Sequence, residues 1–232
     1  MGFEPPWNFY REASGRLKII FSKICELVQP MLKCFRMKLS AILIGLGLIL
    51  SSLTGLHATD VEHSVIVSVP DQSMVVLQNG VPIARYAVST SKYGLGDSNG
   101  RYTTPLGNLE VAKKIGDNAP MGAVFKGRRW TGEVLHPNAW GRDPIVTRIL
   151  WLRGLDFGNR NAYNRGIYIH GTPVENLIGR PASYGCIRMR SRDVVRLFDT
   201  VGVGAKISIL NVSLGRAMSE VSFMHRSTIF NG

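Results

Sequence analysis

Short stretches of alternating apolar and polar residues follow a long apolar run near the start of the chain. Three of them, at residues 64–69, 73–77 and 83–88, are rich in β-branched side chains, and their period of two predicts β-strands. Asn79-Gly80 separates the second stretch from the third. Asn-Gly favours a type I′ turn, because both residues tolerate a positive φ. The sequence therefore predicts that this region opens with antiparallel β-structure.

The remaining pattern predicts more strands and one helix. The strands are expected at residues 109–112, 149–152, 166–170 and 205–210. In residues 191–201, apolar side chains recur at positions i, i+3 and i+4, which predicts a helix. Ser191 is the expected N-cap of this helix, and Gly202 is expected to follow its end.

Two segments show no clear period. Residues 115–143 contain Gly, Pro and Trp without regular spacing, and they predict a long loop. A loop of that length in a compact domain is often a binding element or a lid. Residues 211–232 are expected to form a loose C-terminal tail.

The N-terminal region resembles an export signal. Residues 39–56 carry no charge, and Arg36 and Lys38 precede them. Cations followed by an apolar core are the order of a signal peptide, and the run is also long enough for a membrane anchor. Residues 37–58 are therefore expected to be a signal peptide or an anchor, and either places the following domain in the periplasm or cell envelope. Residues 1–36 are interpreted as an N-terminal extension from an overlong gene start at Met1, with Met37 as the true start.

Composition narrows the class of partner. Apolar residues make up 45% of the 232 residues, which is enough for a core, and the formal net charge is +12. From residue 59 onward, 21 Lys and Arg stand against 13 Asp and Glu. A positive surplus favours anionic surroundings. The cations are scattered and no nucleic-acid motif is present, so no nucleic-acid partner is expected.

The chemistry is concentrated between His170 and Arg188. His170 ends an apolar strand, and Cys186 lies inside Ser183-Tyr184-Gly185-Cys186. A thiol attacks only as thiolate and therefore needs a base, which a histidine held at a strand end can supply. A glycine just before the cysteine allows a tight turn that directs backbone N–H groups towards an oxyanion.

This stretch resembles the signature of the L,D-transpeptidase (YkuD-like) family, in which a histidine, a spacer and Ser/Thr-His-Gly-Cys are followed by an apolar residue and Arg or Asn. The resemblance extends over about residues 64–210. It implies a mostly β, β-rich α+β fold: a β-sandwich or barrel with one helix after the nucleophile and a long loop beside the site. The catalytic domain is expected at residues 63–210.

The resemblance also implies a role for individual residues. Cys186 is the implied nucleophile, His170 the base, and the carbonyl of Gly171 the group that orients the imidazole. The implied oxyanion donors are the backbone N–H groups of Tyr184, Gly185 and Cys186. The substrate-binding residues expected around them are Tyr168, Thr172, Ser183 and Arg188.

One residue departs from the family pattern. Tyr184 stands where the family usually has histidine, and a tyrosine can donate a hydrogen bond and stack but carries no charge near neutral pH. This change leaves thiolate stabilisation and substrate preference open. The implied mechanism needs no metal and no organic cofactor.

The implied reaction is acyl transfer on the stem peptides of bacterial peptidoglycan. A tetrapeptide stem is the donor and an amine is the acceptor, so that a peptide cross-link forms through a Cys186 thioester. Three alternatives remain: an L,D-carboxypeptidase or hydrolase of the same fold, a cysteine peptidase of the NlpC/P60 type, and a non-catalytic wall-binding module. The peptidase is disfavoured because its cysteine precedes its histidine. The membrane is expected as a partner only through the possible N-terminal anchor.

Overall fold

The computed structural model describes residues 59–139 and 141–221. The predicted extension and leader, residues 1–36 and 37–58, lie outside these residues. The described residues form ten strands and two α-helices. The second helix follows the last strand, and the other elements come in the following order: β1 (His63–Ser68), β2 (Ser73–Gln78), β3 (Val81–Ala87), β4 (Gly107–Ile115), β5 (Ala123–Lys126), β6 (Arg129–Val134), β7 (Ile145–Gly154), β8 (Tyr168–Gly171), β9 (Ile187–Met189), α1 (Ser191–Thr200) and β10 (Lys206–Leu210).

All ten strands belong to one mixed sheet. Its main path runs β3-β2-β1-β10-β4-β7-β5-β6, and β8 branches from β7 and carries β9. Two strand pairs are parallel, β1 with β10 and β8 with β9, whereas the others are antiparallel. Asn79 and Gly80 join β2 to β3 with φ of 50° and 79°, which confirms the predicted turn.

The main core lies between one face of the sheet and helix α1. Alternate residues of β1, β2, β4, β7 and β10 turn their side chains into it, as the period of two requires. Helix α1 contributes Val194, Leu197 and Phe198, the predicted i, i+3, i+4 face. The predicted class, a β-rich α+β fold with one helix after the cysteine segment, is confirmed.

The start of α1 differs from the prediction. Arg190, not Ser191, is the N-cap, and no side chain of the cap residue bonds the helix. The N–H of Ser191 donates instead to the carboxylate of Glu175 at 2.8 Å, and the Ser191 hydroxyl accepts a bond from Thr147 at 2.8 Å. The helix therefore receives its N-terminal acceptor from a residue of a neighbouring loop, which local sequence does not reveal.

The predicted long loop at residues 115–143 contains a β-hairpin, so that expectation was wrong for its central part. Strands β5 and β6 meet at Gly127 and Arg128, which both have positive φ. β5 also pairs with β7. The hairpin was missed because its strands are short, β6 is mostly exposed, and Gly-Arg is an uncommon two-residue turn.

Part of the predicted loose tail is ordered. Residues 214–221 form a second helix, α2. Its Leu214 and Ala217 are buried against Ile66, Val75 and Leu77 on the sheet face opposite the main core. The helix is held there because it covers apolar side chains of β1 and β2. Within the described ranges, no helix is both long and apolar enough to cross a bilayer.

Candidate active site

Two paired strands bring the predicted catalytic residues to one surface of the sheet. His170 of β8 lies opposite Arg188 of β9, and Cys186 comes immediately before β9. Continuing this register by one residue sets Cys186 opposite Tyr168. Since side chains alternate along a strand, these four residues share a face, and the intervening isoleucines enter the main core. His170 and Cys186 are thus diagonal neighbours on adjacent strands.

His170 is a buried, neutral imidazole with a defined tautomer. Its Nδ1 is 2.8 Å from the carbonyl oxygen of Gly171, and only 5% of the residue is exposed. A carbonyl can only accept, so Nδ1 carries the proton and the lone pair is on Nε2. Burial lowers the pKa of His170 to about 4, and the Arg188 charge adds to this shift. Near neutral pH the ring is a base with a free Nε2.

Cys186 is half-buried and protonated. Its Sγ donates to the carbonyl of Gly166 at 3.4 Å. Burial raises the pKa of Cys186 to about 11, although the backbone N–H of Tyr168 and the charges of Arg188 and Arg165 act in the opposite direction. Among the hydrogen bonds of the described residues, none joins this sulfur to His170. The resting pair is therefore a thiol beside an imidazole, not a thiolate beside an imidazolium.

A tight loop holds the cysteine in place. The hydroxyl of Ser183 donates to the carbonyl of Cys186 at 2.6 Å and accepts from the N–H of Gly185 at 3.2 Å. Gly185 has φ of +118°, and a Cβ there would lie 3.1 Å from the carbonyl oxygen of Thr103. A larger residue is strained at this position for both reasons. Ser183, predicted to bind substrate, thus has its hydroxyl occupied within its own loop.

Two of the three predicted oxyanion donors are free. The N–H of Gly185 is taken by Ser183, whereas the N–H groups of Tyr184 and Cys186 have no acceptor in residues 59–139 and 141–221. Free backbone N–H groups beside a nucleophile can bind a developing oxyanion. The oxyanion roles of Tyr184 and Cys186 remain predictions that this arrangement permits.

Thr104 connects the loop at residues 183–186, the cysteine loop, to the glycine-rich segment at residues 91–100, which precedes β4. Its hydroxyl donates to the carbonyl of Gly185 at 3.0 Å and accepts from the N–H of Ser91 at 3.0 Å. Thr104 is fully buried. A buried hydroxyl that serves two backbone groups fixes both of them, so the loop is rigid where it carries the sulfur.

Arg188 is buried and makes a partly buried ion pair with Asp143, whose carboxylate is one-third exposed. One guanidinium nitrogen bonds the carboxylate of Asp143, whose other oxygen accepts from the hydroxyl of Thr172 at 2.6 Å. Arg188 and Thr172 were predicted to bind substrate, and here each holds the segment that leads into β7. Asp143 was missed, because it lies far from Arg188 in sequence and no motif marks it.

A second buried ion pair was also missed. Arg165 bonds Asp97 at 2.7 Å, and both side chains are almost fully buried. The guanidinium also donates to the carbonyls of Arg101 and Thr103, both at 2.7 Å. Arg165 therefore shapes the glycine-rich segment and places positive charge near Cys186.

Tyr168 is part of the wall behind the cysteine. It is 7% exposed, its ring meets Trp151 edge-on at 5.8 Å, and its hydroxyl accepts from Arg128 in the β5–β6 turn at 3.2 Å. Tyr163 stacks on the other side of Trp151 at 4.1 Å. The hairpin that replaces the expected loop thus lies beside the site, as the loop was expected to do.

A pocket of about 260 Å³ opens onto Cys186. It is lined by Gly100, Arg101, Tyr102, Arg165, Gly166, Ile167, Tyr184 and Cys186. Within the described ranges, no group of three or more His, Cys, Asp and Glu side chains is placed to hold a metal ion.

Comparison with known proteins identifies a family. The sequence model of the YkuD family, described as the L,D-transpeptidase catalytic domain, matches residues 62–209. YqjB of Bacillus subtilis (strain 168), named as an L,D-transpeptidase, is 35% identical over 80 residues, which are 34% of this chain and 44% of that protein. YcfS of Escherichia coli (strain K12), also named as an L,D-transpeptidase, is 42% identical over 50 residues, 21% of this chain and 16% of that protein. The matches thus span less than half of either relative.

Solved structures that match part of the chain include L,D-transpeptidases. The complex of LdtMt1 with imipenem has a TM-score of 0.41 at 21% identity, over 64% of this chain and 59% of that one. The L,D-transpeptidase of Xylanimonas cellulosilytica DSM 15894 has a TM-score of 0.42 at 17% identity, over 66% and 62%.

Proposed function

Because the chain belongs to the YkuD family of L,D-transpeptidase catalytic domains, we propose that it forms peptide cross-links in bacterial peptidoglycan through a Cys186 thioester. The observation that carries the proposal is the side-by-side placement of Cys186 and His170, with Nδ1 of the imidazole bonded to Gly171 and Nε2 free. The free backbone N–H groups of Tyr184 and Cys186 add hydrogen-bond donors for an oxyanion. A nucleophile, a base and an oxyanion site are the parts that acyl transfer needs.

The first step forms the thioester. The thiol of Cys186 turns from the Gly166 carbonyl towards His170, and Nε2 takes its proton as the sulfur attacks the donor carbonyl. In the tetrapeptide stem this carbonyl joins the L-centre of diaminopimelate to the terminal D-alanine. The carbon–nitrogen bond then breaks, the proton passes from His170 to the departing amine, and D-alanine leaves. The neutral resting pair suits this order, because the proton moves only when substrate arrives.

The second step transfers the acyl group to an amine. A stem peptide with a free amino group attacks the thioester, His170 takes the proton of that amine, and the thiol of Cys186 is regenerated. If water attacks instead, the product is a shortened stem, which is the reaction of an L,D-carboxypeptidase. Whether an amine or water attacks the thioester therefore distinguishes a transpeptidase from a carboxypeptidase.

Incubation of the full chain with disaccharide-tetrapeptide, followed by mass spectrometry, tests the proposal. Cross-linked dimers with loss of D-alanine are expected, and a Cys186→Ser variant should give none. His170→Gln should slow formation of the thioester at least about a hundredfold, the usual effect of losing a general base. Tripeptide monomers without dimers would favour the hydrolase, and absence of both products would refute acyl transfer on this substrate.

Carbapenem labelling gives an independent measure of the nucleophile. Imipenem should add one acyl group to Cys186 through opening of its β-lactam ring, with a mass increase that Cys186→Ser lacks. An adduct at Cys25 or Cys34 alone would show that the assignment of the nucleophile is wrong.

We also propose that the domain acts in the periplasm or cell envelope. The support is the uncharged run at residues 39–56 behind Arg36 and Lys38, and the positive surplus of the chain, which suits an anionic wall polymer. Fractionation of cells and N-terminal sequencing of the native protein would test this. Recovery in the cytoplasm with peptides from residues 1–36 would contradict it.

A further inference from the structure

Three tyrosines form an exposed cluster beside the pocket of Cys186. Tyr93, Tyr102 and Tyr184 come from three separate segments, and their ring centroids are 5.5 to 5.9 Å apart. Each is about half exposed or more, at 52%, 60% and 55% respectively. Aromatic side chains gathered on a surface without being covered are a mark of a contact site.

A lysine is held against these rings. The ammonium of Lys92 lies 4.6 Å from the ring centroid of Tyr184 and 5.1 Å from that of Tyr93. It also donates to the hydroxyl of Tyr184 at 3.3 Å, and this bond is the main reason why the pKa of Lys92 is raised. The charge is therefore retained at working pH and localised over the cluster.

The cluster is fixed relative to the cysteine loop. Ser91 accepts the N–H of Tyr93 at 2.9 Å and donates to the carbonyl of Tyr102, so that one hydroxyl positions two of the rings. The N–H of Lys92 donates to the carbonyl of Ser183 at 3.1 Å. These bonds hold the backbones of the segments that carry the rings and the ammonium against each other and against the cysteine loop, so the cluster is preorganised for a ligand.

The pocket is cationic. Its lining contains Arg101 and Arg165 and no carboxylate. Asp97 neutralises Arg165, but no ion pair engages Arg101 in the residues that the structure describes. Lys92 lies against Tyr184, which lines this pocket, and no ion pair engages Lys92 among the described residues. The pocket volume of about 260 Å³ suits a small part of a ligand more than a whole one.

We propose that Lys92, Arg101 and the three tyrosines form a subsite that binds a free carboxylate of the peptide attacked by Cys186. The inference rests on the proposed function, since that function supplies a peptide with carboxylates at this sulfur. The phenol rings cover the apolar part of the end residue, and the two cations pair with its charge. An end residue with a free carboxylate engages all five side chains, whereas a neutral sugar would leave the two cations unmatched.

The test compares two peptides on two lysine variants of the full chain. The peptides are the tetrapeptide stem with free carboxylates and the same peptide with its carboxylates amidated. The variants are Lys92→Met and Lys206→Met. Lys206 is an exposed lysine on β10 that bonds Glu110 on β4, so its variant controls for the loss of one positive charge. Binding is measured as protection of Cys186 from iodoacetamide, and turnover as kcat and KM.

Lys92→Met should weaken protection by the free-acid peptide, and raise its KM, about tenfold, the usual scale for a hydrogen bond to a charged group. Protection by the amidated peptide and all values for Lys206→Met should stay within about twofold of wild type. An equal loss for both peptides, or no loss for either, would overturn the subsite. A third peptide, the amidated stem that carries its disaccharide, tests a saccharide ligand: if it protects Cys186 as well as the free-acid stem does, the carboxylate subsite is overturned.

The two proposals fail in different ways. Protection that depends on Lys92 without any product would leave the subsite standing and refute acyl transfer. Product whose KM is the same in Lys92→Met and wild type would leave acyl transfer standing and refute the subsite.

Discussion

The neutral state of the Cys186–His170 pair predicts an unusual pH dependence of thiol reactivity. With the pKa of Cys186 raised to about 11 and that of His170 lowered to about 4, both groups are uncharged across the range between. An ion pair would keep a thiolate from mildly acid to alkaline pH. The rate of alkylation should therefore have no plateau at pH 5–8 and should rise about tenfold per pH unit up to about pH 10.

The magnitude follows from the thiolate fraction. At pH 8 a thiol with a pKa of about 11 is about 0.1% ionised. A free cysteine with a pKa of about 8.5 is roughly one-quarter ionised at that pH. If only the thiolate reacts, Cys186 should react with iodoacetamide about two orders of magnitude more slowly than the cysteine of a short uncharged model peptide in the same solution.

The assay needs a single thiol. In a Cys25→Ser/Cys34→Ser background, the rate of iodoacetamide addition is followed by intact mass from pH 5 to pH 10. A His170→Gln variant should give nearly the same curve, because in the resting state the imidazole does not hold the thiol proton. A flat rate between pH 5 and 8 that His170→Gln abolishes would show a preformed ion pair and refute the reasoning.

Two further predictions concern stability. The pKa of His170 is about 4 in the folded chain and about 6.5 in the unfolded chain, so the unfolded chain binds more protons between these values. The free energy of unfolding should therefore fall by up to about 3 kcal/mol as the pH drops from 6.5 to 4. Urea unfolding should show this pH dependence in wild type and not in His170→Gln, and the same pH dependence in both proteins would contradict the prediction. Asp143→Asn leaves Arg188 buried without an anion, and it should lower the free energy of unfolding in urea by about 2 kcal/mol. The loss is smaller than for a fully buried pair because the carboxylate is one-third exposed. An unchanged urea midpoint would show that this ion pair does not stabilise the fold.

Local periodicity predicted much of this fold. The first hairpin, helix α1 and the strand that ends at the catalytic histidine follow from alternation, Asn79-Gly80 and the i, i+3, i+4 pattern, which depend on neighbouring residues alone. Cys186 and His170 were predicted as the catalytic pair because both lie within one short signature motif. The features that were missed depend on residues that are distant in sequence. Glu175 bonds the start of α1, Asp143 pairs with Arg188, and the hairpin of β5 and β6 pairs with β7.

Which atoms around the sulfur are free also depends on distant partners. Ser183 and Arg188 are expected to bind substrate because they flank the nucleophile. The Ser183 hydroxyl bonds within the cysteine loop and one nitrogen of Arg188 bonds Asp143, whereas Nε and Nη2 of Arg188 have no partner among the described residues. Both substrate roles stay predictions. Neighbourhood in sequence showed which residues surround the sulfur but not which of their atoms remain free. The tyrosine–lysine cluster is formed by residues of three separate segments, so no single segment of the sequence predicts it.

The parallel pairing of β1 with β10 also has a consequence for how the chain acquires its structure. β10 lies between β1 and β4, so the middle of the sheet is completed by the last strand of the described residues to be synthesised. Until that strand arrives, β1 and β4 lack their shared neighbour and the apolar face between them is uncovered. Contacts between such distant segments slow folding. A chain cut before Lys206 also loses the pairing of β10 with β1 and β4 and its buried side chains in the main core, so it should fail to reach a stable folded state.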